Sequence, residues 1–321
     1  MEKVEERWEE IMCFALGQQA SDIHLTQKEE NFTLEMRIDG KMKALATKGG
    51  DQRLLSYLQF MANLDVGNSR LPQTGQFEMT VDKQLLSLRF AYFSHTHYRN
   101  GVVRILNHHL VLSGRSLSRI RKQNELLWWA IHQRNGLILM TGSTGSGKTS
   151  SLYALLNELR YRKIYTLEDP IERYYENLMQ WQINEAQHFD YQEGIKQVLR
   201  HDPDVLMIGE IRDKKAAKGA LQAAETGHLV FSSLHASSLP AALERMQEFG
   251  ISLASLLANL RLLCRQDLHI IEKKKVALFE MVCQKDLIYY QKYHRYPPSF
   301  LSLQAQEEAL RKKGLWHEEM V

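Results

Sequence analysis

One short stretch near the middle of the chain has the residue types and the spacing of a phosphate-binding loop. Four residues separate Gly142 from Gly147, and Lys148 and Thr149 follow directly. In such a Walker A motif the glycines let backbone N–H groups close around phosphate oxygens, and the N-terminus of the next helix adds its positive dipole end. The motif therefore predicts a site for the phosphates of ATP.

Two side chains of this loop suit the charges of a bound nucleotide. Lys148 should reach the β- and γ-phosphates, and the Thr149 hydroxyl is placed to bind Mg²⁺, a hard cation that takes oxygen ligands. The apolar run 137–140 supplies the strand that must precede the loop, and residues 150–159 supply the helix that must follow it. The predicted nucleotide contacts in the loop are Gly142, Ser143, Thr144, Gly145, Ser146, Gly147, Lys148, Thr149 and Ser150.

Carboxylates follow two apolar strands downstream of the loop. The segment 166–172 carries three carboxylates, the last of them Glu172, and the apolar segment 204–210 ends in Glu210. The second pattern has the form of a Walker B element, which holds magnesium or orients water. Because ligands bind at the carboxyl ends of strands in α/β sheets, these acids are candidates for the same site.

Arginines and histidines flank the later strands. Arg200 precedes the Walker B segment and Arg212 follows it, while His228 and His235 stand at the two ends of the apolar run 229–234. The histidines could sense or contact the γ-phosphate. Each of these residues, taken singly, is more often a capping or surface residue. Their occurrence together, in this order after a phosphate loop, is much more specific.

The chain that positions these residues has two parts with different patterns. Over residues 119–288 helices alternate with apolar strands, which predicts an α/β fold with a mostly parallel sheet covered by helices on both faces. Residues 1–112 show an opening helix, short strands of alternating polarity and one further helix, which predicts a smaller α+β domain. A linker, 113–118, separates the two parts, and a tail, 289–321, follows them.

Composition sets limits on function. The charges nearly balance, with 41 basic and 38 acidic residues, so a surface that coats nucleic acid is not indicated. Three widely spaced cysteines indicate neither a disulfide framework nor a zinc ribbon. The acidic N-terminus is unlike a signal peptide, and no apolar run approaches the ~20 residues that span a bilayer. These features predict a cytoplasmic protein. In the tail, the aromatic and basic stretch 289–296 is expected to be a solvated surface segment, and residues 302–313 are expected to form a last helix.

Together, these motifs resemble those of the secretion and pilus motor ATPases, the motors of type II secretion, type IV pili and competence pseudopili. The family shows a Walker A motif, an aspartate-rich box similar to 166–172, a Walker B motif similar to 204–213 and a histidine box similar to 227–236. The resemblance runs from about residue 15 to residue 285. The family-like motifs of the first part are at 20–24, 37–40, 70–73 and 103–106.

The resemblance implies a RecA-like ATPase domain with a PAS-like N-terminal domain, assembled as a homo-hexamer that turns ATP hydrolysis into movement. It implies that Glu172 is the general base for the attacking water and that Glu210 organises Mg²⁺ and that water. His228 and His235 would couple the γ-phosphate to domain movement. The arginines that match arginines of the family are Arg89 and Arg104, which approach the nucleotide there, and Arg200 and Arg212.

Three departures narrow the choice within the family. Lys196 stands where an arginine is common, Gln76 replaces a basic residue, and the tetracysteine zinc element of many secretion and pilus-extension motors is absent. With the short N-terminus, this favours a competence pseudopilus motor or a pilus-retraction motor. The lack of the retraction type's long helical ending favours the competence motor.

The implied partners are a polytopic inner-membrane platform protein and, indirectly, a pilin-like filament. The motor would lie at the inner face of the cell membrane, touching it only through partners, and would bind no nucleic acid directly. Two other classes stay open. A RecA-like nucleic-acid translocase or type IV secretion ATPase would share the phosphate loop, and its activity would respond to single-stranded DNA. A nucleotide-gated scaffold would hydrolyse ATP only incidentally, against which Lys148, Glu172 and Glu210 argue.

Overall fold

The structure is a computed structural model, and it describes residues 4–38, 40–66, 71–106, 113–171, 173–271 and 274–314. The chain divides into two units. The first comprises Met1–Leu110 with Glu172–Tyr174, and the second comprises Val111–Ile171 with Tyr175–Val321. Among the described residues, no helix combines the length and the apolar character that crossing a bilayer requires.

The first unit contains a six-stranded sheet and two helices. The helices are α1 (Val4–Gly17) and α2 (Arg53–Met61), and the strands are β1 (Asp22–Lys28), β2 (Asn31–Ile38), β3 (Lys41–Leu45), β4 (Gln73–Val81), β5 (Gln84–His95) and β6 (Tyr98–Ile105). The strands lie in the order β3-β2-β1-β6-β5-β4, and all neighbouring pairs are antiparallel.

Alternation along the strands explains how this sheet buries one face. In β2, Leu34, Met36 and Ile38 are buried, whereas the residues between them are partly exposed. Successive side chains of a strand point to opposite faces, so the buried set shares one face. Trp8 of α1 and Leu55 of α2 belong to the same apolar cluster. The predicted opening helix and alternating strands are confirmed.

The second unit contains a seven-stranded sheet. Its helices are α3 (Arg121–Ile131), α4 (Lys148–Asn157), α5 (Tyr191–Val198), α6 (Lys214–Glu225), α7 (Leu239–Glu248), α8 (Leu253–Asn259), α9 (Gln284–Tyr293) and α10 (Leu303–Lys312). Its strands are β7 (Gly136–Thr141), β8 (Ile164–Glu168), β9 (Met179–Gln182), β10 (Val205–Ile208), β11 (Leu229–Leu234), β12 (Leu260–Ile271) and β13 (Lys274–Cys283). The order is β13-β12-β7-β11-β10-β8-β9, and every pair is parallel except β12 with β13.

Both faces of the central strands are buried. In β7, Leu137 and Leu139 join one apolar cluster, whereas Ile138 and Met140 join another. Since alternate residues point to opposite faces, one cluster lies on each side of the sheet. Burial on both faces requires the continuous apolar runs that the sequence shows. The predicted α/β fold is confirmed.

Two parts of the second unit differ from the prediction. The strands β9 and β12 were not predicted, because β9 is short and partly exposed and polar residues interrupt the apolar pattern of β12 after Cys264. The expectation of a solvated stretch over 289–296 is wrong for Tyr296, which packs against the core together with Phe300, and the neighbouring Leu303 is buried. The predicted last helix, 302–313, is confirmed as α10.

Candidate phosphate-binding site

The loop between β7 and α4 has a conformation that depends on its glycines. Gly142, Gly145 and Gly147 have φ angles of 144°, 81° and 84°, in the region that L side chains rarely adopt. A Cβ at Gly142 would lie 2.3 Å from the backbone oxygen of Gln266, whereas one at Gly145 would meet nothing within 4 Å. The base of the loop is therefore pressed against β12, and its tip is open.

Lys148 is buried at the start of α4, and its ammonium group stays within the loop. It donates hydrogen bonds to the carbonyl oxygens of Gly142, at 2.9 Å, and of Ser143, at 2.7 Å. Burial lowers the pKa of Lys148, while the carboxylates of Glu210 and Asp267 act in the opposite direction. The loop thus holds the ammonium group of Lys148 against two carbonyl oxygens. A phosphate oxygen could take their place, because a charge-assisted hydrogen bond to an anion is stronger than one to a neutral carbonyl.

The loop also contains a buried hydroxyl group. Ser146 Oγ is shielded from solvent, and it has no hydrogen-bond partner among the described residues. Residues 143–145 at the tip are exposed, Thr149 is half-buried, and Ser150 is exposed. An open glycine-rich tip beside a buried ammonium group and an unpaired hydroxyl fits the phosphates of a nucleotide.

Charged side chains that follow three strands meet at the carboxyl end of the same sheet. Glu210 follows β10, pairs with Arg212 and lies 3.2 Å from Nε2 of His235, which follows β11. Arg212 also pairs with Asp169, after β8, at 3.2 Å. Burial alone would lower the pKa of Arg212, but its pairing with Glu210 outweighs burial and raises it. Because β7, β8, β10 and β11 are parallel, these residues share the end of the sheet with the phosphate loop.

Two predicted nucleotide contacts lie at the other end of the sheet. His228 precedes β11, and its Nδ1 lies 3.1 Å from the carbonyl oxygen of Ala223. Arg200 precedes β10 and donates to Gln197 at 3.3 Å. A strand rises about 3.3 Å per residue, so the length of β11 separates His228 from His235. The structure therefore places His228 and Arg200 at the amino end of the strands, away from the phosphate loop of the same chain, and their contact with a nucleotide stays a prediction.

Arg89 and Arg104 belong to the first unit, on neighbouring strands. They oppose each other in the register of β5 and β6. Arg104 donates from Nε to Asp22 Oδ1 at 2.7 Å, while its side chain is 59% exposed. Arg89 is half-buried. The structure places the two arginines beside each other, and their contact with a nucleotide stays a prediction.

The carboxylate-rich segment after β8 contains one strongly held acid. Glu172, the predicted general base, lies outside the described residues. Glu168 is 3% exposed, and its carboxylate accepts hydrogen bonds from Tyr153, from Thr166 at 2.6 Å and from Gln180 at 3.1 Å. Burial, followed by the charge of Glu168, raises the pKa of Tyr153, so this hydroxyl remains a donor. Glu168 is thus fixed by neutral donors.

Sequence reasoning missed one residue that contacts the loop directly. Gln266 of β12 is 1% exposed and donates from Nε2 to the carbonyl oxygen of Ser146 at 2.7 Å. The available signal was a glutamine between Arg265 and Asp267, directly after the apolar residues 262–264. Without a predicted strand, that signal could not be assigned to the sheet.

The sequence matches proteins of known families over most of its length. Residues 1–292 match the family described as type II/IV secretion system protein. Competence protein ComGA of Halalkalibacterium halodurans is 36% identical over 255 residues, which are 77% of this chain and 72% of the relative. ComGA of Bacillus subtilis is 34% identical over 79% of this chain and 72% of the relative. The putative type II secretion system protein E of Escherichia coli is 36% identical over 80% of this chain but 55% of the relative.

Two solved structures are similar over nearly the whole chain. The Legionella pneumophila ATPase DotB superposes with a TM-score of 0.78 at 20% identity, covering 97% of this chain and 93% of DotB. The pilus retraction motor PilT, solved with bound ADP, superposes with a TM-score of 0.71 at 24% identity, covering 94% of this chain and 96% of PilT. These likenesses show a shared α/β fold.

Proposed function

The chain belongs to the type II/IV secretion system protein family and is a motor ATPase, and we propose that it assembles a pilus-like filament, the competence pseudopilus used for DNA uptake. Two relatives named competence protein ComGA support this filament, because the chain matches a larger share of their length than of the type II secretion relative. The alternative within the family is a pilus-retraction motor, which the fold of PilT keeps open.

The meeting of Lys148 and Glu210 at one end of the sheet carries the proposed chemistry. The ammonium group of Lys148 and the loop 142–149 bind the phosphates of ATP, while Thr149 and Glu210 hold Mg²⁺. The bound Mg²⁺ would offset the negative charge of the phosphates. His235 and Arg212 keep the Glu210 carboxylate in place through the pairs described above. His235 thereby couples the state of the γ-phosphate to the rest of the motor.

Glu172 remains the proposed general base. Glu168 is buried, and hydrogen bonds from Tyr153, Thr166 and Gln180 already occupy its carboxylate oxygens, which leaves this carboxylate poorly placed to take a proton from water. The proposed role of Glu168 is therefore to hold the end of β8 in place, beside the segment that leads to Glu172. A larger loss of turnover in Glu168→Gln than in Glu172→Gln would contradict this assignment.

The assembly is proposed to be a homo-hexamer in which a PAS-like first domain, 1–112, joins a RecA-like motor domain, 119–288, through the linker 113–118. Arg89 and Arg104 of the first domain would then reach a nucleotide by domain closure or across a subunit boundary. The hexamer would act on a polytopic platform protein at the inner face of the cell membrane. The platform protein would pass the movement to the pilin-like filament.

The filament can be tested in the organism that carries this chain. Without the chain, pseudopilus filaments and DNA uptake should both be lost, and the wild-type protein but not Lys148→Ala should restore them. Filaments that accumulate in excess when the chain is missing would instead identify a retraction motor. Turnover by the purified protein that rises several-fold with single-stranded DNA would favour a nucleic-acid translocase.

A further inference from the structure

Gln266 stands where β12 passes the beginning of the phosphate loop. Its neighbour Arg265 pairs with Thr141, the last residue of β7, so Gln266 lies beside Gly142. The Gln266 side chain is buried, and Nε2 donates to the carbonyl oxygen of Ser146 at 2.7 Å. This hydrogen bond joins two segments that are far apart in the sequence, and it fixes the last turn of the loop before α4.

The same residue also sets the shape of the loop at both of its ends. A Cβ at Gly142 would lie 2.3 Å from the backbone oxygen of Gln266, and a Cβ at Gly147 would lie 2.9 Å from its Nε2 atom. The first and last glycines of the motif therefore rest on one residue of β12. A loop supported at both ends has less conformational freedom to lose when a phosphate binds.

Two buried polar atoms at this contact have no partner among the residues that the structure describes. They are Gln266 Oε1, an acceptor, and Ser146 Oγ, which can donate. Buried polar groups without partners are rare in folded proteins and call for an explanation. Their position on the two residues that already share a hydrogen bond suggests a second bond, formed when the loop closes on phosphate.

We propose that Gln266 is a positioning residue of the nucleotide site, which holds the phosphate loop through Ser146 and accepts a second hydrogen bond from the Ser146 hydroxyl when phosphate binds. This inference rests on the nucleotide site proposed above. Gln266 touches the loop and not the phosphates, so its effect on binding is indirect. The backbone of the loop, held in one shape, does the binding.

The test compares two buried glutamines by replacing each with leucine. Gln306 is 4% exposed, donates from Nε2 to the carbonyl oxygen of Phe279 at 2.6 Å, and also has an Oε1 atom without a partner among the described residues. Gln266→Leu and Gln306→Leu thus remove similar groups, but only the first contacts the loop. Titration with a fluorescent N-methylanthraniloyl ADP, well below the melting temperature of either variant, gives the Kd.

We expect Gln266→Leu to raise the Kd for ADP about fivefold to tenfold, the effect of one buried hydrogen bond, and Gln306→Leu to leave it unchanged. Binding of inorganic pyrophosphate, measured by competition, should weaken by the same factor as binding of ADP, because the loop contacts phosphates. Gln266→Glu keeps the size of the side chain but puts a negative charge beside the loop, so it should bind ADP more weakly than Gln266→Leu.

An unchanged Kd in Gln266→Leu would overturn the inference, and so would an equal rise in Gln306→Leu. If Gln266→Leu does not fold, wild-type affinity in Gln266→Glu would overturn it equally well. Failure of the nucleotide site itself is distinguishable, because the wild-type protein would then bind no ADP at all.

Discussion

The two ends of the seven-stranded sheet have the same kinds of polar residues but different arrangements. At the carboxyl end, Arg212 and His235 both pair with Glu210, and the three residues share the edge with the phosphate loop. At the amino end, His228 lies against a helix carbonyl, and Asp204 accepts a hydrogen bond from the backbone of residue 163 at 2.8 Å. Charged side chains at the carboxyl end pair with one another, whereas polar side chains at the amino end form hydrogen bonds with nearby backbone groups.

This difference shows how a sequence motif can be divided by the strand that it contains. The histidine box, 227–236, spans β11 and therefore supplies one histidine to each end of the sheet. The Walker B segment likewise spans β10, from Asp204 to Glu210. Residues that are close in the sequence thus lie at opposite ends of the sheet. Substituting the two members of each pair separately compares the two ends.

The largest difference is expected between two lysines. Lys148→Ala should lower ATP turnover about 10³-fold or more, because it removes the cation that stabilises charge on the transferring phosphoryl group. Lys163→Ala, an exposed lysine before β8 at the amino end, should leave turnover unchanged. Phosphate release by the purified protein with Mg²⁺ measures both. Wild-type turnover in Lys148→Ala would contradict the assigned site.

Substitutions of the two acids of the Walker B segment should differ nearly as much in their effect on turnover. Glu210→Gln should lower kcat about 10²-fold or more, since it weakens the site for Mg²⁺, whereas Asp204→Asn should keep kcat and lower stability by about 1 kcal/mol. Steady-state kinetics and urea unfolding separate the two effects. Similar losses of kcat in both variants would break the distinction between the two ends.

The histidines give a smaller contrast. His235→Ala should lower turnover about tenfold, the loss typical of a residue that orients a carboxylate at a metal site. His228→Ala should stay within about twofold of the wild type, because its partner is a backbone carbonyl. The same phosphate-release assay compares them. Equal losses would show that the amino end of the sheet also serves hydrolysis, as a contact between subunits would allow.

The smallest effect is expected in the first unit, where a charge pair lies on an antiparallel sheet. Burial alone would raise the pKa of Asp22, but hydrogen bonds from Arg104 and Ser21 outweigh it and lower the pKa from its ordinary value of 3.8. A lowered folded-state pKa stabilises the protein above about pH 4, and that stabilisation is lost as the pH falls further.

Asp22→Asn should therefore cost about 1 kcal/mol of unfolding free energy near neutral pH, with a difference from the wild type that shrinks between about pH 5 and pH 3. Urea unfolding at several pH values measures this difference. A difference in unfolding free energy that stays constant over that pH range would show that the charge of Asp22 does not stabilise the first unit.

The sequence predicted four central strands and the edge strand β13, but it did not predict β9 or β12. β7, β8, β10 and β11 are buried on both faces, so their apolar runs are unambiguous. β12 was missed because the polar residues 265–267 interrupt its apolar pattern, and the contact of Gln266 was missed with it. The phosphate loop could be predicted because its chemistry depends on local spacing. His228 and Arg200 were assigned from the resemblance, although they precede β11 and β10 and parallel strands place such residues at the end away from the loop.

The C-terminal helix has a further consequence for the behaviour of the protein in solution. β13 is the last strand of its sheet, and an uncovered edge strand can pair with strands of other molecules and start aggregation. Here the side-chain amides of Gln123 and Gln306 both donate to the carbonyl oxygen of Phe279, and the backbone N–H of Leu303 donates to the side-chain carboxylate of Glu280. α3 and α10 thereby occupy one backbone acceptor of this edge strand, the carbonyl oxygen of Phe279, and so hinder intermolecular β-pairing at that position.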